Sequence, residues 1–190
     1  MLFSSSANTT PCRHDPLFAG AAPLAGRARV RIAGKVEESI VDGPGLRYVL
    51  FTQGCPHHCP GCHNPATHAV SGGVEVSLDD ILRDIRKNSI TRGVTFSGGE
   101  PFLQSETLAP LAAELKRQGY HLMAYTGYLM EELLARPRHA TFLASLDVVV
   151  DGPFVLERRS LDLKFRGSSN QRFIDVPASL AASRAVQRDL

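Results

Sequence analysis

What is scarce in the 190-residue sequence narrows the field. Twenty-one basic against nineteen acidic side chains leave a net charge of only +2, too balanced for a nucleic-acid or membrane-surface binder on charge alone. No apolar run is long enough to span a bilayer. Residues 1–26, rich in Ser, Ala, Pro and Gly, lack the basic start and unbroken apolar core of a secretory signal. They read as a disordered leader. Cysteine is used four times in all, and free thiols belong in a reducing compartment, so the expected location is cytoplasmic. Hydrophobic residues make up 43%, enough for one core. The expected organisation is the leader, one α/β domain over 27–177 and a tail over 178–190.

Three of the cysteines crowd into Gly54-Cys55-Pro56-His57-His58-Cys59-Pro60-Gly61-Cys62, a C-x3-C-x2-C loop. Cysteine thiolates are the usual ligands of iron-sulfur clusters, and three ligands on a cubane of four irons leave one iron for an outside molecule. Pro56, Pro60, Gly54 and Gly61 supply the fixed and permissive backbone angles that let the thiolates converge. The competing reading is a structural zinc knuckle with His57, His58 or His63 as the fourth ligand. A self-sufficient electron carrier would need a fourth cysteine, and Cys12, far away in the leader, reads as a spare thiol.

Beyond the loop, strand and helix alternate. Arg47 to Gln53 is β-like; Leu78, Ile81, Leu82 and Ile85 recur at helical spacing behind Ser77, a good N-cap. Gly93 to Phe96 follows as a strand. The next helix turns Leu108, Leu111, Ala112 and Leu115 inward; Pro110 favours a start at Thr107 over Ser105, and Gly119 closes it. His121 to Tyr125 and Leu146 to Val150 are further strands, separated by a helix over Leu129, Leu133 and Leu134 that ends near Pro137. Such repeats build a parallel sheet with helices outside. The cysteine loop, Ser97-Gly98-Gly99-Glu100-Pro101, Thr126-Gly127-Tyr128 and Asp151-Gly152-Pro153 each follow a strand, so all gather at the carboxyl edge, where such sheets and barrels bind ligands. A full eight-unit barrel takes about 250 residues. This chain is expected to form an incomplete, laterally open (β/α) barrel.

The cysteine loop, Ser97-Gly98-Gly99-Glu100-Pro101 and Val41-Asp42-Gly43-Pro44-Gly45-Leu46-Arg47 resemble the radical S-adenosylmethionine enzymes, and within them the activases of glycyl-radical enzymes. Gly61-Cys62-His63-Asn64-Pro65, Tyr125-Thr126-Gly127-Tyr128, Val150-Asp151-Gly152-Pro153-Phe154 and Arg166-Gly167-Ser168-Ser169-Asn170-Gln171 are similar to the activating proteins of anaerobic ribonucleoside-triphosphate reductase, in the same order from about Val30 to Val176. The resemblance implies a barrel of the radical S-adenosylmethionine type, with one [4Fe-4S] cluster on Cys55, Cys59 and Cys62. Its open iron chelates S-adenosylmethionine, whose reductive cleavage yields a 5′-deoxyadenosyl radical. Gly61, Cys62 and His63 then line the adenine side, and Ser97, Gly98, Gly99 and Glu100 meet the methionine moiety. The paired glycines are expected to let backbone approach the ligand. The implied partners are the large, glycyl-radical subunit of the reductase and a low-potential electron donor such as flavodoxin or ferredoxin.

Other readings stay open at this level. Many radical S-adenosylmethionine enzymes carry an aromatic residue before the third cysteine, where this chain has Gly61; the ribonucleotide-reductase activases resemble it in this respect, which supports the narrower resemblance and leaves the adenine contact to backbone. Thr126 and Asp151 are candidates for ribose or cation contacts, or simple caps and turns. Arg158, Arg159, Lys164, Arg166 and Arg172, set against Asp162 alone, suggest a recognition surface or a solvated basic loop. Asp42 to Gly45 either touches a substrate peptide or makes a tight turn. A pyruvate formate-lyase activase or a carboxy-deazaguanine synthase shares the cysteine loop and the Gly-Gly-Glu.

Overall fold

The computed structural model describes residues 28–189; the expected leader and Cys12 lie outside them. Its strands are β1 (Arg29–Ser39), β2 (Arg47–Thr52), β3 (Val74–Ser77), β4 (Gly93–Gly98), β5 (His121–Tyr125), β6 (Val148–Asp151) and β7 (Arg172–Asp175), and its helices α1 (Leu78–Lys87), α2 (Ser105–Arg117), α3 (Met130–Leu134), α4 (Ala140–Ser145) and α5 (Val176–Ala182). The strands form one seven-stranded sheet in the order β3-β1-β2-β4-β5-β6-β7. The four strands expected from the sequence, β2, β4, β5 and β6, pair in parallel at its centre. Antiparallel β1, β3 and β7 flank them. The fold is thus mixed α/β around a parallel core. Among the described residues, no helix is long and apolar enough to cross a membrane.

Side-chain alternation along each strand separates two faces. Tyr48, Leu50, Val94, Phe96, Leu122, Ala124, Val149 and Ile174 join one large core with Leu78, Ile81, Leu82 and Ile85 of α1, Leu108, Leu111, Ala112 and Leu115 of α2, and Phe142 and Leu143 of α4. The intervening residues face the other way. Met123, Val148, Val150 and Phe173 form a second, smaller cluster there, with Tyr125 and Phe165 against it.

At the amino end of this inner face lies Arg47, only 1% exposed. Its guanidinium donates to Thr95 Oγ1 at 2.5 Å and to the carbonyls of Pro44 at 3.1 Å, Val94 at 2.7 Å and His121 at 3.0 Å, with His121 Nδ1 3.2 Å away. Among the described residues no carboxylate pairs with it, and burial lowers its pKa to about 10. Gly43 and Gly93 make room, since a Cβ on either would meet the Arg47 side chain within 2.8 Å. Within the Asp42 to Arg47 run, Gly43 and Arg47 are buried, while Pro44 and Gly45 between them are exposed.

One local expectation needs correction. Helix α2 begins at Ser105 and carries Pro110 inside it, rather than starting at Thr107. A 3-10 turn over Pro101–Gln104 leads straight into it, and Glu106, whose carbonyl loses its helical donor at Pro110, is exposed to water. The helix expected over Leu129, Leu133 and Leu134 is α3, which stops at Leu134, short of Pro137; a 3-10 turn over Pro137–His139 and a further helix, α4, follow it. Helix α1 is as expected: Asp80 N donates to Ser77 Oγ at 3.1 Å.

Candidate functional site

The carboxyl ends of β2, β4, β5 and β6 surround one cavity of about 750 Å³, and Cys55, Cys59, Cys62, His63, Ser97, Gly98 and Gly99 all line it. That volume suits a small-molecule or cofactor site. The three cysteines are free and half-buried, and burial pushes the Cys55 thiol up from its ordinary pKa. Backbone bonds close the loop on the turn that follows it, Gly54 N to Thr67 O at 2.8 Å and Cys55 N to His68 O at 3.1 Å, and Glu100 N to Gly54 O at 2.8 Å ties its start to the end of β4. The Asn64 amide donates to Cys62 Sγ at 3.4 Å, a contact of the kind that tunes a sulfur ligand.

Gly61 and Glu100, expected at the cofactor, are not among the residues lining this cavity. Gly61 has φ +71° and is exposed, and a Cβ there would sit 2.8 Å from the Leu156 Cδ1 beside it. Glu100 is fully buried. Its carboxylate accepts from His57 Nε2 at 2.8 Å, Thr126 Oγ1 at 2.9 Å, Gly127 N at 2.9 Å and Phe102 N at 3.0 Å. It ties the cysteine loop and the end of β5 to its own segment.

The paired glycines also have a role the sequence did not suggest. Gly98 has φ +95°, and a Cβ on it would lie 2.6 Å from Thr52 N; one on Gly99 would lie 2.3 Å from Gly54 O. The close approach they permit is of the protein to itself, at the point where β4 passes the end of β2 and the start of the cysteine loop.

The remaining candidates sort out by contact. Thr126 donates to Glu100 and accepts from Tyr128 N at 3.1 Å. Asp151, fully buried, accepts from Met130 N at 2.7 Å, capping α3, and pairs with Arg172. Arg172 also pairs with Glu131 at 2.7 Å, and these two carboxylates raise its pKa. Of the basic run, Arg159 and Arg166 line the cavity, while Arg158, Arg159 and Lys164 are exposed. Gln171 stitches the segment together: its side chain accepts from Gly167 N at 2.8 Å and donates to Gly152 O at 3.1 Å. Ile40, Val41 and Asp42 line the cavity as well.

The donor set fits a [4Fe-4S] cluster better than a single zinc ion. His57 is committed to Glu100, His58 packs edge-on against His68 at 5.2 Å, and His63 lies 4.9 Å from Phe154. Three thiols opening onto a shared cavity match a cluster with one exchangeable corner.

Residues 41–174 match the family model described as a 4Fe-4S single cluster domain. The anaerobic ribonucleoside-triphosphate reductase-activating protein of Haemophilus influenzae is 37% identical over 140 residues, covering 70% of this chain and 89% of the relative. Its namesake from Escherichia coli is 37% identical over 141 residues, covering 70% and 90%. The pyruvate formate-lyase-activating enzyme of Staphylococcus aureus is 49% identical over a shorter 87 residues, 43% of this chain and 35% of that protein. Among solved structures, QueE from Escherichia coli shows a TM-score of 0.43 at 23% identity, covering 55% of this chain and 54% of the other. With most of its length matched by full-length relatives and its three thiols gathered on one cavity, the chain belongs to the 4Fe-4S family of anaerobic ribonucleoside-triphosphate reductase-activating proteins.

Proposed function

We propose that this protein activates anaerobic ribonucleoside-triphosphate reductase by generating a glycyl radical on the large reductase subunit, with a [4Fe-4S] cluster and S-adenosylmethionine as cofactors. The observation that carries this reading is the meeting of Cys55, Cys59 and Cys62 with Ser97, Gly98 and Gly99 on one cavity at the carboxyl edge of a parallel sheet. Cys55, Cys59 and Cys62 would hold the cluster, and Cys62, His63 and the Ser97 to Gly99 backbone would bind S-adenosylmethionine. Gly61 and Glu100 support this binding from behind rather than by lining it. Together the bound cofactors supply one-electron cleavage of a sulfonium, and with it a carbon radical able to remove a hydrogen atom from glycine.

The chain's own share is placement and exclusion. Phe51, Tyr125, Phe154 and Phe165 on the cavity wall offer apolar surface that limits water around a reactive species. Burial raises the pKa of the Tyr125 hydroxyl, which keeps that phenol neutral. The sheet, with β3 and β7 at its ends, is read as an incomplete, laterally open barrel whose gap admits a segment of the partner. Ile40 and Val41, 74% and 72% exposed, also line the cavity and offer apolar surface to such a segment. A low-potential flavodoxin or ferredoxin as electron donor and a cytoplasmic location complete the proposal.

The short match to a pyruvate formate-lyase activase motivates a second partner in the same test. The protein, reconstituted anaerobically with iron and sulfide, is reduced and mixed with S-adenosylmethionine and either enzyme, and the glycyl radical is sought by electron paramagnetic resonance. A radical on the reductase subunit is expected, together with deoxyadenosine. Cys55→Ala, Cys59→Ala and Cys62→Ala each abolish both products, whereas Cys12→Ala retains them. A radical on pyruvate formate-lyase alone, or full activity in any of the first three variants, overturns the assignment.

A further inference from the structure

We propose that His57 is the positioning residue of the cysteine loop, a latch whose ring fixes the thiols against the carboxyl ends of β4 and β5. Its Nε2 donates to Glu100 Oε2 at 2.8 Å, and the Glu100 side chain is completely enclosed. The ring meets Tyr128 edge-on with centroids 4.6 Å apart. Its other boundary is Gly127, where a Cβ would lie 2.5 Å from His57 Cδ2 and 2.7 Å from Nε2. One imidazole is therefore held by a hydrogen bond, an aromatic edge and a glycine whose missing side chain is the space it occupies.

Among the described residues, no other side chain from 55 to 62 hydrogen-bonds to the sheet edge. The latch sits between Cys55 and Cys59, so its seating limits where both thiols can go. A loop held this way loses less freedom when a ligand gathers its donors. Glu100 is the anchor: besides His57 it takes donors from Thr126, Gly127 and Phe102, so it cannot follow a loop that moves. The role concerns the metal-free chain, and its test stands apart from the reaction catalysed.

The test is thiol alkylation of the full-length, iron-free protein under anaerobic conditions, read peptide by peptide by mass spectrometry with Cys12 as the reference in the same chain. His57→Ala is expected to speed modification of Cys55 and Cys59 by about tenfold, the equivalent of one hydrogen bond to a charged group. His57→Gln, which can place an amide donor near the same spot, restores rates to about twice the parent value or less, the residue being the lost ring packing. Gly127→Ala, which leaves the loop's sequence intact but fills the ring's seat, reproduces His57→Ala. The double variant is no worse than either single one, because both remove the same contact. Iron and sulfide retained per chain after reconstitution follow the same order.

Parent-like alkylation rates in Gly127→Ala overturn the latch, as does a His57→Gln variant no better than His57→Ala. Additive effects in the double variant do so too. Should His57→Ala fail to fold, Gly127→Ala and His57→Gln decide the matter between them.

Discussion

The two ends of the inner sheet face each bury a charged side chain, and they use it differently. At the amino end the Arg47 guanidinium collects oxygen acceptors from a hydroxyl and three carbonyls. At the carboxyl end the Glu100 carboxylate collects donors, two of them backbone amides, from the cysteine loop and the ends of β4 and β5. The cation fills a space and closes it. The anion organises the rim of a cavity that stays open. An orphaned buried N–H is rarer in folded proteins than an under-satisfied carbonyl, whose second lone pair has other uses, so the anion end should tolerate loss less well.

The sharpest way to break that contrast is to replace each charge by an apolar side chain. Glu100→Leu strands four donors and is expected to destabilise the fold by about 3–5 kcal/mol. Arg47→Met frees carbonyls while relieving the burial of a cation, and is expected to cost about 1–3 kcal/mol. Urea unfolding of both variants checks the order; equal losses, or the reverse, would remove the distinction.

A second comparison sets two positive-φ glycines against each other. Gly98→Ala forces a Cβ within 2.7 Å of Phe51 and Thr52 backbone, whereas at Gly119, φ +84°, nothing lies within 4 Å. Gly98→Ala should cost about 2–4 kcal/mol, backbone strain plus overpacking, and Gly119→Ala about 1 kcal/mol of strain alone. Thermal unfolding of the pair distinguishes crowding from conformation.

The smallest effect is a pH dependence. His121, beside Arg47, and His139, whose Nδ1 lies 2.8 Å from Ser105 Oγ, both have lowered pKa values, burial being the main cause. Their unfolded counterparts titrate near 6.5, so below that pH the unfolded chain binds more protons than the folded one. Stability is fully present above about 6.5 and falls as the pH drops through the window beneath it. His121→Asn should flatten part of that slope in unfolding curves taken between pH 7 and 5; an unchanged slope would exclude His121 as a contributor.

Much of the cavity rim could be read before the structure, because each motif follows a strand with a clear apolar signature. Val94 and Phe96, or Leu122 and Ala124, announce their strands locally, and parallel pairing then brings Ser97 and Thr126 together. What stayed hidden depends on contacts between distant segments. Nothing near Glu100 reveals that His57, 43 positions earlier, supplies its donor, and the crowding that requires Gly99 comes from the Gly54 carbonyl. Strand β1 escaped notice since Val30 and Ile32 are the only apolar side chains buried within it, its second half being largely polar and exposed. Pro110 argued for a later helix start because sequence alone does not say that the carbonyl it deprives faces solvent.

The margins of the sheet carry a final consequence. Beyond β7, Asp175 N donates to Val186 O at 2.9 Å and Arg188 N to Phe173 O at 2.8 Å, so the last described residues blanket that border. The opposite border is β3, four residues long, where Arg29 and Arg31 both grip Glu75. Neither side presents a long bare ladder for another chain to zip onto. Self-association through sheet extension is thereby disfavoured.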